Sequence, residues 1–110
     1  MPSQSALDYA AEVEQRRLAE DQRYKGNESM RSKDFDEAVE CYSKSLEISP
    51  DEAATYSNRA MAYLKMKKYQ LCINDADKCL EIQPDYLKAF HRRGKAYLAC
   101  NKFELAIKDF

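Results

Sequence analysis

Residues 50–84 read PDEAATYSNRAMAYLKMKKYQLCINDADKCLEIQP, from Pro50 to Pro84, and the 34-residue step between those prolines recurs along the chain. Moving by that step brings Gly26 onto Ala60 and Gly94, Phe35 onto Tyr69 and Phe103, and Ala38 onto Cys72 and Ala106. It also brings Leu46 onto Leu80 and Ile48 onto Ile82. Small residues return where small ones stood, and aromatics where aromatics stood. A period of this length marks a stacked repeat, in which each unit covers the apolar face its neighbour leaves open.

The punctuation inside each unit predicts two helices. Ser49-Pro50-Asp51 and Gln83-Pro84-Asp85 each end a helix, because proline lacks the N–H and the residue before it avoids helical backbone. New helices are expected over about 52–66 and 86–99. Asp51 is expected to cap the former, with Glu52 favourable near its positive end. Turns at Ser32-Lys33-Asp34, Lys67-Lys68 and Asn101 lead into partner helices over Phe35 to Ile48, Tyr69 to Ile82, and from about Phe103. Ser5 is expected to cap a first helix that starts near Ala6 and runs through Val13, Leu18 and Tyr24 towards Met30. Gly26 interrupts good helix formers at a cost of about 1 kcal/mol relative to Ala. Its equivalents Ala60 and Gly94 suggest why: paired helices approach most closely there. Tyr24, Tyr42, Tyr56, Tyr63, Tyr69 and Tyr97 are read as packing residues. Phe110 takes the position of Tyr42, so the chain is expected to stop in mid-helix, as a fragment of a longer protein.

With two Gly and three Pro among 110 residues, 34% charged and 45% apolar, the composition is that of packed helical protein rather than disorder. A formal net charge of −1 gives no general attraction to nucleic acid, so any basic site must be local. The aromatics are taken up by packing instead of being interleaved with a basic stripe, which argues against a single-strand binding platform. Met1 to Leu18 lacks the apolar core of a signal peptide, and no run approaches a membrane span. Cys41, Cys72, Cys79 and Cys100 form no C-x-x-C pair. Cys72 and Cys79 stand at the repeat positions of Ala38 and Ser45, so buried reduced thiols are expected, with no disulfide and no metal. That implies a cytoplasmic or nuclear compartment. One histidine, no glycine-rich phosphate loop and no nucleophile–base dyad leave nothing on which to build catalysis or cofactor binding. Asp75 and Asp77, two apart on a helix, point in different directions.

The period and its pattern resemble the tetratricopeptide repeat, a pair of antiparallel helices. The resemblance implies an all-α, right-handed α-solenoid of about three repeats, the last truncated. Its divisions would be an N-terminal helical extension at 1–18 and repeats at 19–52, 53–86 and 87–110. In that architecture the first helix of each pair lines a concave face. Residues four apart share one side of a helix, so Arg23 and Asn27 project together from the first unit, Lys88 and Arg92 from the third. Asn58 faces the same groove between them. Three cations and two amides, all donors, suit a carboxylate better than a neutral ligand.

That pattern resembles the two-carboxylate clamp of co-chaperones. The resemblance implies binding of the C-terminal Glu-Glu-Val-Asp tail of cytosolic chaperones of the heat shock protein 90 and 70 classes. The first position is usually Lys; Arg23 keeps the charge but is longer and planar, with a fork of donors. Residues 58–65 and 88–94 are similar to the repeats of chaperone adaptors of the group that includes RNA polymerase II-associated protein 3 and sperm-associated antigen 1. A larger adaptor assembly is therefore an implied partner. Met30, Met61, Leu64 and Leu98 are read first as packing residues and second as contacts for apolar side chains of the tail, Lys65 and Lys95 as contacts for further acids, and His91 lies beside Lys88 and Arg92. Two other readings are the targeting domain of a larger phosphatase or prolyl isomerase, and a self-associating scaffold.

Overall fold

The computed structural model describes residues 1–109, apart from the side chains of Phe103 and Glu104; the expected match of Phe110 to Tyr42 lies outside the described residues. Among the described residues there are six helices and no strand: α1 (Gln4–Arg31), α2 (Phe35–Ile48), α3 (Ala53–Lys65), α4 (Tyr69–Ile82), α5 (Leu87–Ala99) and α6 (Phe103–Asp109). Residues 4–18 do not form a separate element; they continue α1 as one 28-residue helix.

Each hairpin turn has the same chemistry. Lys33, Lys67 and Asn101 lie 34 residues apart in sequence and take φ of 61°, 61° and 62°. At the first turn the Lys33 N–H donates to the Met30 carbonyl at 3.0 Å and Asp34 N–H to the Ser29 carbonyl at 2.8 Å, which satisfies two of the carbonyls in the last turn of α1. Lys67-Lys68 and Asn101-Lys102 repeat both bonds. Asp34 then caps α2 by accepting from the Glu37 N–H at 3.2 Å.

Each helix packs on the next in order. In addition α1 meets α3 and α3 meets α5, whereas among the described residues the backbones of α2 and α4, and of α4 and α6, make no comparably close approach. The odd helices are thus the crowded inner layer and the even helices the outer one, so the stack curves towards α1, α3 and α5. The residue columns found at the 34-residue step are its seams: Ala38, Cys72 and Ala106 are all 0% exposed, as is Ala60. Tyr42, Ala62 and Ala38 form one buried cluster, and Ala60, Cys72, Ile73 and Ala96 the next. All four cysteines are free thiols, three of them buried.

A polar brace repeats as well. Arg59 on α3 grips Asp75 on α4 with two bonds of 2.8 Å and reaches Ser43 on α2 at 3.0 Å, beside the rings of Tyr56 and Tyr63. Arg93 on α5 grips Asp109 on α6 with two bonds of 2.7 Å and reaches Asp77 on α4, beside Phe90 and Tyr97. Burial pushes the Asp75 carboxyl up, and the Arg59 guanidinium pulls it back. Asp75 and Asp77 thus serve two different arginines. In the first unit Lys25 and Cys41 occupy the matching positions, so the pair cannot form there.

Three expectations need correction. Ser3, not Ser5, caps α1, its hydroxyl accepting from the Ala6 N–H at 3.2 Å. The two serines offer the same chemistry, but Ser5 lies inside the first turn. Asp51 does not cap α3: the cap position is Glu52, without a side-chain cap bond, and the Glu52 carboxylate reaches Arg23 instead. Tyr24 is 63% exposed rather than packed. Its equivalents Asn58 and Arg92 instead lean on the preceding unit, through Asn27 and Ser57.

Candidate functional site

The inner layer carries a groove whose middle is a hollow of about 180 Å³, lined by Asn27, Met30, Arg31, Tyr42, Asn58, Met61 and Arg92. Two neighbouring helices supply the amides: the Asn58 Nδ2 donates to Asn27 Oδ1 at 3.4 Å. The Tyr42 hydroxyl donates to that same oxygen at 2.6 Å. Sharing Met61 and Arg92 with this hollow is a wider one of about 320 Å³, lined also by Leu64, Leu87, Lys88, His91 and Lys95. The first sets cationic and amide donors beside Met30 and Met61; the other is mostly apolar with a basic rim.

Arg92 is the link between them. Its guanidinium donates to the buried Ser57 hydroxyl and is bonded to no carboxylate among the described residues. Burial disfavours its charged form and pulls its pKa below the ordinary arginine value, opposed only by nearby tyrosine and cysteine side chains such as Tyr86 and Cys72. The neighbouring Arg59 and Arg93 differ, since each is closed off by aspartates. Lys88, one turn before Arg92 on α5, is exposed and likewise has no acid partner among the described residues. Cations held this way in a concave, partly desolvated face attract an anion from outside.

Arg23 stands apart from the other four donors. It lines a separate hollow of about 70 Å³ with Arg16, Ala19, Glu20, Ser45, Ser49, Glu52 and Thr55. Its Nη1 lies 3.2 Å from Glu52 Oε1. On α1 it is one turn before Asn27, so it borders the amide pair without joining that hollow. Among the secondary candidates, Met30, Met61, Leu64, His91 and Lys95 line the two hollows; Lys65 and Leu98 line neither and are exposed. The sequence reading missed Ser57, Tyr42, Leu87 and Glu52. Leu87 carried a usable signal, since it is a large apolar residue at the repeat position of the small, buried Ala53. No group of three or more metal-ligating side chains occurs among the described residues, and no helix among them is long and apolar enough to cross a membrane.

Comparison with known proteins agrees with this architecture. Two family profiles match, described as "Tetratricopeptide repeat" over residues 53–86 and "TPR repeat" over residues 26–67. Hsp70-Hsp90 organizing protein 3 of Arabidopsis thaliana is 44% identical over 52 residues, 47% of this chain; the match spans only 9% of that relative's length. Among solved structures, the first TPR of Spaghetti (RPAP3), bound to the HSP90 peptide SRMEEVD, is 34% identical with a TM-score of 0.83. The likeness covers 84% of this chain and 74% of that one. The second TPR of the same protein, bound to the same peptide, is 32% identical with a TM-score of 0.87, covering 92% of this chain and 93% of that one.

Proposed function

The chain belongs to the tetratricopeptide repeat family, and on that footing we propose that its inner groove binds the C-terminal Glu-Glu-Val-Asp tail of heat shock protein 90 or 70 class chaperones. It would act in the cytoplasm as a co-chaperone or adaptor module, with repeats at 19–52, 53–86 and 87–110 after an extension at 1–18. The observation that carries this reading is Arg92, a desolvated guanidinium with no carboxylate partner among the described residues, beside Lys88 and two amides. Asn27 and Asn58 donate N–H groups to a terminal carboxylate, with Arg23 beside them. Lys88 and Arg92 take a second carboxylate on the opposite wall. Met61, Leu64 and Leu87 offer apolar surface to the side chains between and upstream, and Lys95 stands at the rim.

The energetics suit a reversible contact. Four or five charge-assisted bonds of about 1.5–3 kcal/mol each are offset by desolvation, association entropy and about 2–5 kcal/mol for ordering a flexible tail. A net of about −7 to −8 kcal/mol, a dissociation constant on the order of micromolar, is the expectation for a contact of this kind. An open groove is screened over ~8 Å at physiological ionic strength, so affinity falls with added salt.

Titration with a Glu-Glu-Val-Asp peptide as free acid and as C-terminal amide tests the proposal. The acid should bind at least ten times more tightly than the amide, and Lys88→Ala or Arg92→Ala should cost about 10- to 100-fold, one charge-assisted bond each. Equal binding of acid and amide, or indifference to both substitutions, refutes it.

A further inference from the structure

Tyr42 belongs to α2, in the outer layer, and its ring is 1% exposed, yet its hydroxyl reaches through to the groove side of α1 and donates to Asn27 Oδ1 at 2.6 Å. The ring gets there because residue 26 has no side chain. A Cβ on Gly26 would lie 2.6 Å from Cε1 and 2.7 Å from Cδ1 of Tyr42. One unit along, the matching pair is Ala60 and Ala76, so nothing in the second unit makes this reach.

A side-chain amide has an acceptor end and a two-proton donor end. Here the acceptor end is occupied twice, by the Tyr42 hydroxyl and by Asn58 Nδ2 at 3.4 Å. Turned over, the Asn27 amide would set its Nδ2 against that of Asn58, donor on donor. Its N–H groups are therefore the ones left for the hollow. We infer that Tyr42 is a positioning residue for anion recognition: it fixes the Asn27 amide so that N–H groups, rather than a carbonyl oxygen, meet a bound carboxylate. The inference rests on the tail-binding reading above. Orientation matters because the two ends of the amide have opposite polarity towards an anion. The phenol keeps the proton it donates, since burial pushes its pKa up to about 12 against the opposing pull of Arg92.

The test is Tyr42→Phe, which keeps the ring and the packing against Gly26 and removes only the hydroxyl. The free-acid Glu-Glu-Val-Asp peptide should bind it about tenfold more weakly, as for loss of one oriented hydrogen bond, while the C-terminal amide peptide is unaffected. That drop in the acid-to-amide ratio, at unchanged helical circular dichroism, is a readout that loosened packing alone would not produce. Wild-type affinity and ratio in Tyr42→Phe, with Lys88→Ala still impaired, would overturn the inference and leave the tail-binding reading in place. If the wild-type chain does not distinguish acid from amide, both fall. The wild-type complex gives a second measurement that needs no variant: nuclear Overhauser contacts from the Asn27 side-chain NH₂ protons to the terminal Asp of the peptide. Their presence supports the inference, and their absence overturns it.

Discussion

The Arg23 guanidinium lies 3.2 Å from a carboxylate oxygen of Glu52, so one cation of the groove already holds an acid supplied by the chain itself. Glu52 comes from the start of α3, Arg23 from the middle of α1, and the two sit at one end of the amide pair. A ligand carboxylate must share or displace that partner. Glu52→Gln is therefore expected to tighten binding of the acidic tail. A partly exposed pair of this kind is worth about 0.2–1 kcal/mol, so the gain is at most about fivefold, largest at low salt. Calorimetric titration of Glu52→Gln and of Arg23→Ala/Glu52→Gln checks it. The gain must vanish in the double variant if it acts through Arg23.

Alkaline stability should report on Tyr42. Its pKa is raised from an ordinary 10.0 to about 12 by burial, so between those values the native chain holds a proton that the unfolded chain has lost. Stability contributed by this group is complete below pH 10 and is lost as pH rises through 12. Denaturant unfolding at a series of alkaline pH values should show a steep fall for the wild type and a shallower one for Tyr42→Phe. Parallel slopes would mean that the phenol titrates alike in both states.

Gly26→Ala should destabilise the fold, since the new methyl would lie 2.6 Å from the Tyr42 ring. Overpacking of this kind costs about 1–3 kcal/mol. The second unit shows a workable alternative in Ala60 and Ala76. Gly26→Ala/Tyr42→Ala is therefore expected to be less destabilised than the sum of its single changes, though it loses the phenol's bond to Asn27. A thermal-melt double-mutant cycle measures the coupling.

Lys33 and Lys67 hold left-handed backbone at φ 61°, where a side chain is strained and glycine is not. Lys33→Gly and Lys67→Gly are each expected to stabilise by about 0.5–1 kcal/mol, after the greater unfolded-state entropy of glycine is subtracted. Both residues are exposed, so no packing is lost. A lowered melting temperature at either position would contradict the assignment of strain.

The helices and seams were legible because a repeat encodes them several times. Ala38, Cys72 and Ala106 each vote for one small-residue seam, and the Pro50 and Pro84 stops mark the same boundary twice. The grouping of Asn27, Asn58, Lys88 and Arg92 about adjoining hollows also follows from that register. Single events were harder to read. Glu52 meets Arg23 across 29 residues, and nothing in the repeat distinguishes that contact from an ordinary helix-start acid. Tyr42 reads as packing because its ring does pack; its hydroxyl acts at a distance that only three dimensions reveal. Tyr24 was misread because register alone does not say which residues of a column find a neighbour to lean on.

The arginine braces tie α2 to α3 and α4 through Arg59, and α4 to α5 and α6 through Arg93, but neither reaches α1. The groove thus has one anvil and one jaw. Asn58, Lys88 and Arg92 ride on the braced block, while Arg23 and Asn27 ride on a helix held by contacts such as Ser45 to the Ala19 carbonyl at 2.7 Å and by the one partly exposed pair between Arg23 and Glu52. Adjustment of grip to different tails should therefore fall to α1. Amide exchange should be fastest along it in the free chain, and tail binding should slow exchange there more than in α3 or α5.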